Sequence, residues 1–343
     1  MRHLNRSHVD NRSQGDLPTA LGHYARALRL SRQCGWLECE ATILGNLGIV
    51  RQGQGRLKAA VGQLTRALEL DRRSGRAAGL ANNLGNLASV LHDLGRFDEA
   101  ATHFTEALEL NRRTGSRHGQ ALALTGLGDV CRALGRADEA TARLTAAMDL
   151  YTQVGDRDGQ AVVHQTLGAV ECDLGRFDAA HEHARAALAL CQETGDPRTE
   201  SYALALLGRT LARRGRTGEA AECYRRAYDV AQPFALPRAQ IEALIGMAET
   251  ALDAGDLDGA DAHAETALHR ARRSGYRLAE AAARDVLAGV LLARLSPLSP
   301  IPIGRSSATP SGRPSRAAPR WPDPTPPPPA AVRRRDRTRR PNR

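Results

Sequence analysis

Apolar residues recur along this chain with the spacing of amphipathic helices. Within residues 81–120, a first set follows the i, i+3, i+4, i+7 spacing of one helix face, at Leu84, Leu87, Ala88 and Leu91. A second set lies between Gly95 and Gly115, at Phe97, Ala100, Phe104, Ala107 and Leu108. Glycine is common just beyond a helix C-terminus, because it adopts the left-handed conformation without a steric penalty. The pattern therefore predicts two helices, ended by Gly95 and Gly115.

This pair of helices repeats along the chain with a period of 40 residues. One ladder of glycines marks the turn inside each pair, at Gly15, Gly55, Gly95, Gly135, Gly175, Gly215 and Gly255. Two ladders of alanines lie on the second helix, at Ala20, Ala60, Ala100, Ala140, Ala180, Ala220 and Ala260, and at Ala27, Ala67, Ala107, Ala147, Ala187, Ala227 and Ala267. A fixed period in this range indicates stacked copies of one supersecondary unit. The sequence therefore predicts an all-α solenoid of antiparallel helix pairs.

Small residues also recur on the first helix of each pair. From Gly48 onward this position is glycine or alanine in each repeat, as in Ala88, Gly128, Gly168, Gly208, Ala248 and Ala288. A small side chain lets the two helices of a pair approach closely at that point. The preceding position carries a larger residue, such as Leu47, that fills the space beside the close contact.

The order of these residues resembles the tetratricopeptide-repeat pattern. The resemblance covers about residues 17–294 and rests on Leu44, Leu47, Gly48, Ala60, Leu64 and Ala67. The usual unit has about 34 residues, and the longer unit found here is similar to repeats of kinesin light chains and spindle-orientation adaptors. It is also similar to the C-terminal arrays of large bacterial signal-transduction ATPases and antibiotic-regulatory transcription factors. The resemblance implies a right-handed superhelical solenoid that binds a protein or peptide.

The repeat pattern divides the chain into three parts. A solenoid is predicted over residues 17–295, with six full repeats over residues 41–280 and a half-repeat at each end. Residues 1–16 form a degenerate or frayed segment, because Ser7 and His8 replace the leucine and the glycine of the pattern. The two half-repeats favour the interpretation that the chain is one piece of a longer repeat protein.

The third part, residues 296–343, differs sharply in composition. It contains thirteen of the seventeen prolines, and its eleven arginines and two aspartates give it nine of the chain's formal net charge of +10. Such a segment cannot bury enough apolar surface to offset its ordering entropy, so we expect a disordered tail with polyproline II stretches. Three interpretations stay open: a plain disordered terminus, the product of out-of-frame translation, or a nucleic-acid contact through phosphates. The last would use Arg333, Arg334, Arg335, Arg337, Arg339 and Arg340.

The solenoid carries no sequence motif of catalysis or metal binding. A phosphate-binding loop, a G-x-S-x-G elbow, an HExxH pair and a CxxC pair are all missing from the sequence. Histidine recurs at His23, His103, His183 and His263, but equivalent residues two repeats apart should lie about 20 Å apart, since packed helices are 8–10 Å apart. We therefore expect no enzyme activity, no cofactor and no metal site.

The sequence also predicts a location in the cell. The N-terminal residues lack the apolar core of a signal peptide, and the longest apolar run, Val286 to Leu292, is too short to span a membrane. The six cysteines form no paired framework, which is typical of free thiols in a reducing compartment. We expect a cytoplasmic protein without membrane contact.

The predicted binding surface is the concave groove. In stacked helix pairs the first helices line the concave side, and the resemblance implies that the positions of Thr42, Gly45, Ile49 and Gln52 face it. The polar candidates at these positions are Gln52, Asn82, His92, Asp129, Arg132, Gln165, Arg209, Glu242 and Glu249. Asn46 and Asn86 lie beside this face, where an amide can donate to and accept from a peptide backbone. The alternative for each residue is simple solvation.

Charges in this groove are mixed in sign. The chain has no recurring Lys/Asn/Arg set like the carboxylate clamp of chaperone-binding repeats, so an acidic C-terminal peptide is not favoured. The sequence predicts a protein- or peptide-binding scaffold, and the resemblance implies the sensor or interaction portion of a bacterial transcriptional or signal-transduction regulator. The alternatives are a nucleic-acid-associated factor that uses the tail and a truncated repeat fragment without independent function.

Overall fold

The computed structural model describes residues 17–295, and within them the chain forms fourteen α-helices and no strand. Their bounds are α1 Leu17–Gln33, α2 Leu37–Gly53, α3 Leu57–Ser74, α4 Ala77–Asp93, α5 Phe97–Thr114, α6 Arg117–Ala133, α7 Ala137–Val154, α8 Arg157–Asp173, α9 Phe177–Thr194, α10 Pro197–Arg213, α11 Thr217–Ala231, α12 Pro237–Asp253, α13 Leu257–Ser274 and α14 Arg277–Leu295. The predictions for residues 1–16 and for the arginine-rich segment 296–343 lie outside the described residues.

The helices are arranged as an all-α, right-handed superhelical solenoid of antiparallel pairs, which confirms the predicted fold class. Even-numbered helices are the first helices of the pairs, and each contacts the second helix that follows it, from α2 with α3 to α12 with α13. Neighbouring first helices, such as α2 and α4, also touch. Each pair starts four residues before the repeat boundary chosen from the sequence, since α2 begins at Leu37.

The glycine ladder forms the turn inside each pair. Gly95, two residues after the end of α4, has a φ of +74°, in the left-handed region. Its N–H donates to the carbonyl of His92 at 2.9 Å, and the N–H of Arg96 donates to the carbonyl of Leu91 at 2.8 Å. These bonds satisfy carbonyls at the end of α4 that have no partner within the helix. The predicted role of Gly95 is confirmed.

A second ladder of left-handed residues ends the second helices. Gly75, Gly115, Gly155 and Gly195 occupy it, but the equivalent position between α11 and α12 is Ala235, with a φ of +48°. Among the described residues, Ala235 is the one non-glycine with positive φ. An L-residue is less stable in this conformation than glycine. Here α11 stops at Ala231, earlier in its repeat than the other second helices that follow a first helix.

The small residues of the first helices and the alanine rungs of the second helices lie where the helices approach most closely. A Cβ atom on Gly48 would be 2.6 Å from Cγ of Leu64, and one on Gly128 would be 2.6 Å from Cγ of Leu144. The alanine rungs of the second helices from α3 to α13, such as Ala147 on α7, are buried. The structure thus confirms that side-chain size at these positions sets how closely the helices stack.

Ala147→Leu is expected to lower the free energy of unfolding by about 1–3 kcal/mol, because three added carbons must fit into a fully packed contact. Urea unfolding followed by far-UV circular dichroism measures the change. Ala142→Leu is the matched control, since Ala142 is exposed on the same helix. Equal stability of the two variants would show that the rung does not control the packing.

Candidate functional site

The C-terminal ends of the first helices carry a network of polar side chains. Gln52 on α2 donates through Nε2 to Oγ of Ser89 at 2.9 Å and to Oδ2 of Asp93 at 2.8 Å. The other oxygen of Asp93, Oδ1, accepts from Nη1 of Arg238 at 2.7 Å. The carboxylate of Asp93 is only 4% exposed. It joins α4 to both α2 and α12.

Arg238 holds this position through three neighbours. Besides Asp93, its Nε donates to Oε1 of Glu242 at 3.0 Å, and its guanidinium lies 5.7 Å from the ring centre of Tyr202. Burial disfavours the charged guanidinium, but the two carboxylates outweigh it and raise the pKa of Arg238 well above its usual value. Burial also raises the pKa of Tyr202. The arginine is therefore a fixed cation at the start of α12.

The contact between Asp93 and Arg238, termed the closing pair below, joins residues 145 positions apart in sequence. Repeats in a solenoid normally contact only their neighbours. Two further contacts join residues even farther apart in sequence: Ser274 lies against Gly55, and Leu94 lies against Gly275. The C-terminal ends of α2 and α4 and the turns after them therefore contact the start of α12 and the loop before α14.

A second network of alternating charge crosses the middle of the solenoid. Nε2 of His92 lies 3.3 Å from Oδ2 of Asp129, and Oδ1 of Asp129 accepts from Nε of Arg132 at 3.0 Å. Arg132 also donates through Nη1 to Oδ2 of Asp173 at 2.9 Å. Asp173 in turn lies 3.5 Å from Nη1 of Arg209. The network links α4, α6, α8 and α10.

Burial and charge set the protonation states in this second network. Burial lowers the pKa of His92, although Asp129 opposes the shift, so the imidazole is neutral at neutral pH. Burial alone would raise the pKa of Asp129, but His92 and Arg132 hold it well below its usual range. The pKa of Arg132 is raised, because its two aspartates outweigh the effect of burial. The carboxylates and guanidinium groups therefore pair as ions.

The structure brings six of the predicted groove residues into these two networks. They are Gln52, His92, Asp129, Arg132, Arg209 and Glu242. The structure leaves Asn82 exposed, and it places Gln165 and Glu249 half-buried on the same series of helices.

Asn46 and Asn86 are half-buried on a different side of their helices. At the equivalent position, Gly126 packs against Phe104 and Gly246 packs against Tyr224, both on the preceding second helix. This repeat position therefore faces the previous pair. The arrangement places the two amides between repeats, beside the networks rather than within them.

The sequence analysis did not predict five residues of the networks: Ser89, Asp93, Asp173, Tyr202 and Arg238. A signal for the aspartates exists in the sequence, because Asp93 and Asp173 occupy the same repeat position, two periods apart. Each lies 41 residues after the side chain that donates to it, Gln52 or Arg132. Arg238 had no such signal, since its partner lies four repeats away.

The recurring histidines do not assemble with one another. His183 instead meets His164, whose Nδ1 lies 3.0 Å from Nδ1 of His183. Burial lowers the pKa of both rings, which is consistent with a hydrogen bond between two neutral imidazoles. Within residues 17–295, His, Cys, Asp and Glu form no group of three placed to hold a metal ion. All six cysteines lie in this range as free thiols.

The family model described as tetratricopeptide repeat matches residues 2–73, 79–153 and 159–232, and a second model with the same description matches residues 241–266. No curated protein matches the sequence. None of the helices described for residues 17–295 is long and apolar enough to cross a membrane.

Several solved structures share the fold at low sequence identity. The apo form of RapI is 16% identical with a TM-score of 0.60, over 76% of this chain and 93% of that one. A Rap protein complexed with competence and sporulation factor is 14% identical with a TM-score of 0.56, over 75% and 76%. A signal transduction ATPase with numerous domains and a tetratricopeptide-repeat sensor, from Pyrococcus horikoshii, is 14% identical with a TM-score of 0.52, over 81% and 42%.

Proposed function

Because the chain belongs to the tetratricopeptide-repeat family, we propose that it is a non-enzymatic scaffold that binds a protein or peptide along its first helices. The observation that carries the proposal is the pair of polar networks that spans these helices from α2 to α12. Arg132, Arg209 and Glu242 are partly exposed members of the networks, and they offer a ligand polar groups that the scaffold already holds in place. Preorganised groups bind a ligand without a further loss of side-chain entropy.

The networks also indicate what kind of ligand fits. The two networks contain three guanidinium groups and four carboxylates, so the groove carries both charges in nearly equal number. Arg209 has the longest of these contacts, 3.5 Å, and its side chain is 35% exposed. A ligand carboxylate can compete for Arg209 more easily than for Arg132, which two aspartates hold at 2.9 and 3.0 Å. We expect a peptide of mixed charge with an acidic group near α10.

We further propose that the chain is the sensor or interaction portion of a bacterial transcriptional or signal-transduction regulator. Support comes from the structures that share its fold, which include a signal transduction ATPase with a sensor of this kind and a Rap protein complexed with a factor. The closing pair adds a physical basis, because a ligand between α4 and α12 would change the contact between distant repeats.

Arg209→Ala is expected to weaken peptide binding about tenfold or more, since a hydrogen bond to a charged group contributes about 1.5–3 kcal/mol. The probes are peptides selected from a random-sequence display library on the full chain, and fluorescence anisotropy measures their affinity. Arg225→Ala is the matched control, because Arg225 pairs on the exposed side of α11 with Glu222 and Asp229. Equal loss in both variants, or no loss with Arg209→Ala, would contradict the groove assignment.

A further inference from the structure

The last helix of the described chain exposes an unusually apolar face. Leu291, Leu292 and Leu295 on α14 are all exposed. Leu291 is 59% exposed, whereas Leu91 and Leu211, at the same repeat position, are 3% and 4% exposed. Ala288 is also exposed, although its equivalents Ala88 and Ala248 are completely buried. Contiguous exposed apolar surface of this kind marks an interaction site.

In the inner repeats, a second helix covers this face. Leu64 packs on Gly48, Leu144 on Gly128 and Tyr224 on Gly208. The sequence that follows α14 does not continue the pattern, because Pro300 and Ser307 stand where every earlier second helix has alanine. Proline is also disfavoured inside a helix. The segment after α14 is therefore a poor candidate for the second helix that would cover this face.

The first described helix, α1, is a second helix whose packing face is only partly covered. By its place in the repeat, α1 is a second helix: Leu17 begins it as Leu57 begins α3, one period later. Its rungs Ala20 and Ala27 are only half-buried, whereas Ala60 and Ala67 of α3 are completely buried. Position 297, where a second helix after α14 would begin, is equivalent to position 17 in the repeat. The two ends thus present the two halves of one repeat.

We infer that α14 of one copy packs against α1 of a second copy and so completes a repeat between chains. Tyr24 of one copy then lies on Ala288 of the other, as Tyr224 lies on Gly208 within this chain. Within its own copy, α1 has a poor first helix available, because Ser7 and His8 stand where α14 has Leu287 and Ala288. The apolar α14 matches the α1 face better.

Charge does not prevent this contact. The α1 helix is basic, with Arg26, Arg29 and Arg32 and no acidic residue. On α14, Arg284 lies on the same side as the exposed leucines, but it already pairs with Glu280 at 2.6 Å. Because the two surfaces differ, the contact is head-to-tail, and it builds open chains or a ring rather than a closed two-fold dimer.

Light scattering coupled to size exclusion tests the association of the full chain. Over about a hundredfold range of concentration, the wild-type mass is expected to rise from monomer to larger species, as linkage to protein concentration requires. Leu291→Arg on α14 and Tyr24→Arg on α1 should each stay monomeric. Leu122→Arg is the matched control, since Leu122 is exposed on an inner first helix, and it should associate like wild type. A wild type that stays monomeric overturns the inference.

Mixing the two monomeric variants gives the sharper test. The Leu291→Arg chain keeps an intact α1 face and the Tyr24→Arg chain keeps an intact α14 face, so together they should form a complex of one copy each and grow no further. A twofold rise in mass on mixing supports the head-to-tail contact. Absence of this complex, with both variants folded by circular dichroism, shows that another segment or partner covers α14 and overturns the proposal.

Discussion

Asp71→Ala is expected to lower the free energy of unfolding by about 3 kcal/mol, the low end for breaking a buried ion pair, because Arg76 stays 30% exposed. The Asp71 carboxylate is completely buried at the end of α3. Its Oδ1 accepts from Nε of Arg76 at 3.0 Å, and its Oδ2 accepts from Nδ2 of Asn83 at 2.7 Å. Nη1 of Arg76 donates to Oγ1 of Thr42 at 2.8 Å. One carboxylate therefore ties α3 to α4 and, through Arg76, to α2.

The loss is large because Asn83, unlike Arg76, is too buried to be solvated by water. Asn83 is buried on α4, and without Asp71 its amide loses its acceptor, which by itself costs about 1–3 kcal/mol. Urea unfolding measures the total, and hydrogen exchange should show the loss concentrated in α3 and α4. Glu69→Ala is the matched control: Glu69 is exposed on the same helix, its partner Arg66 is exposed too, and removal should cost about 0–0.5 kcal/mol. Equal effects of the two substitutions would rule out the buried network.

The fold could be predicted from the sequence because its determinants are local and repeated. Gly95 allows a turn because it adopts a left-handed φ, and Ala147 allows a close contact because it is small. The residues that determine the structure of each repeat therefore lie within its own 40 residues. Part of the candidate site was predictable in the same way. The family resemblance indicates which face of the first helices to consider, and helical periodicity places Gln52 and Arg132 on it, where the networks form.

The remainder of the site depends on features that no single repeat contains. Asn46 follows Gly45 by one residue, and that step turns about 100° around a helix of 3.6 residues per turn. Gly45 lies against Asn83 of the next first helix, whereas the position of Asn46 faces the previous pair. Arg238 reaches Asp93 only because small rotations between successive repeats add up over four repeats. A sequence pattern specifies which residues repeat, but it does not specify the sum of those rotations.

The closing pair leads to the second large effect. Arg238→Gln is expected to separate the end of α4 from the start of α12, because it removes the cation that neutralises the buried Asp93. Small-angle scattering should show a larger radius of gyration, and a double-mutant cycle with Asp93→Asn should give a coupling of about 1–3 kcal/mol. Arg225→Gln is the control, since Arg225 pairs only within α11, and it should leave the scattering profile unchanged.

His92 provides a local readout of the same change. Burial is the main cause of its lowered pKa, and the charge of Arg238 lowers it further. Opening the contact removes both effects, so the pKa of His92 should rise in Arg238→Gln, as followed by an NMR titration of the imidazole. Protonation of His92 would then begin at higher pH than in the wild type. The contact between Asp93 and Arg238 does not hold α4 and α12 together in solution if three results coincide. These are a radius of gyration and a His92 titration equal to those of the wild type, and a coupling free energy near zero.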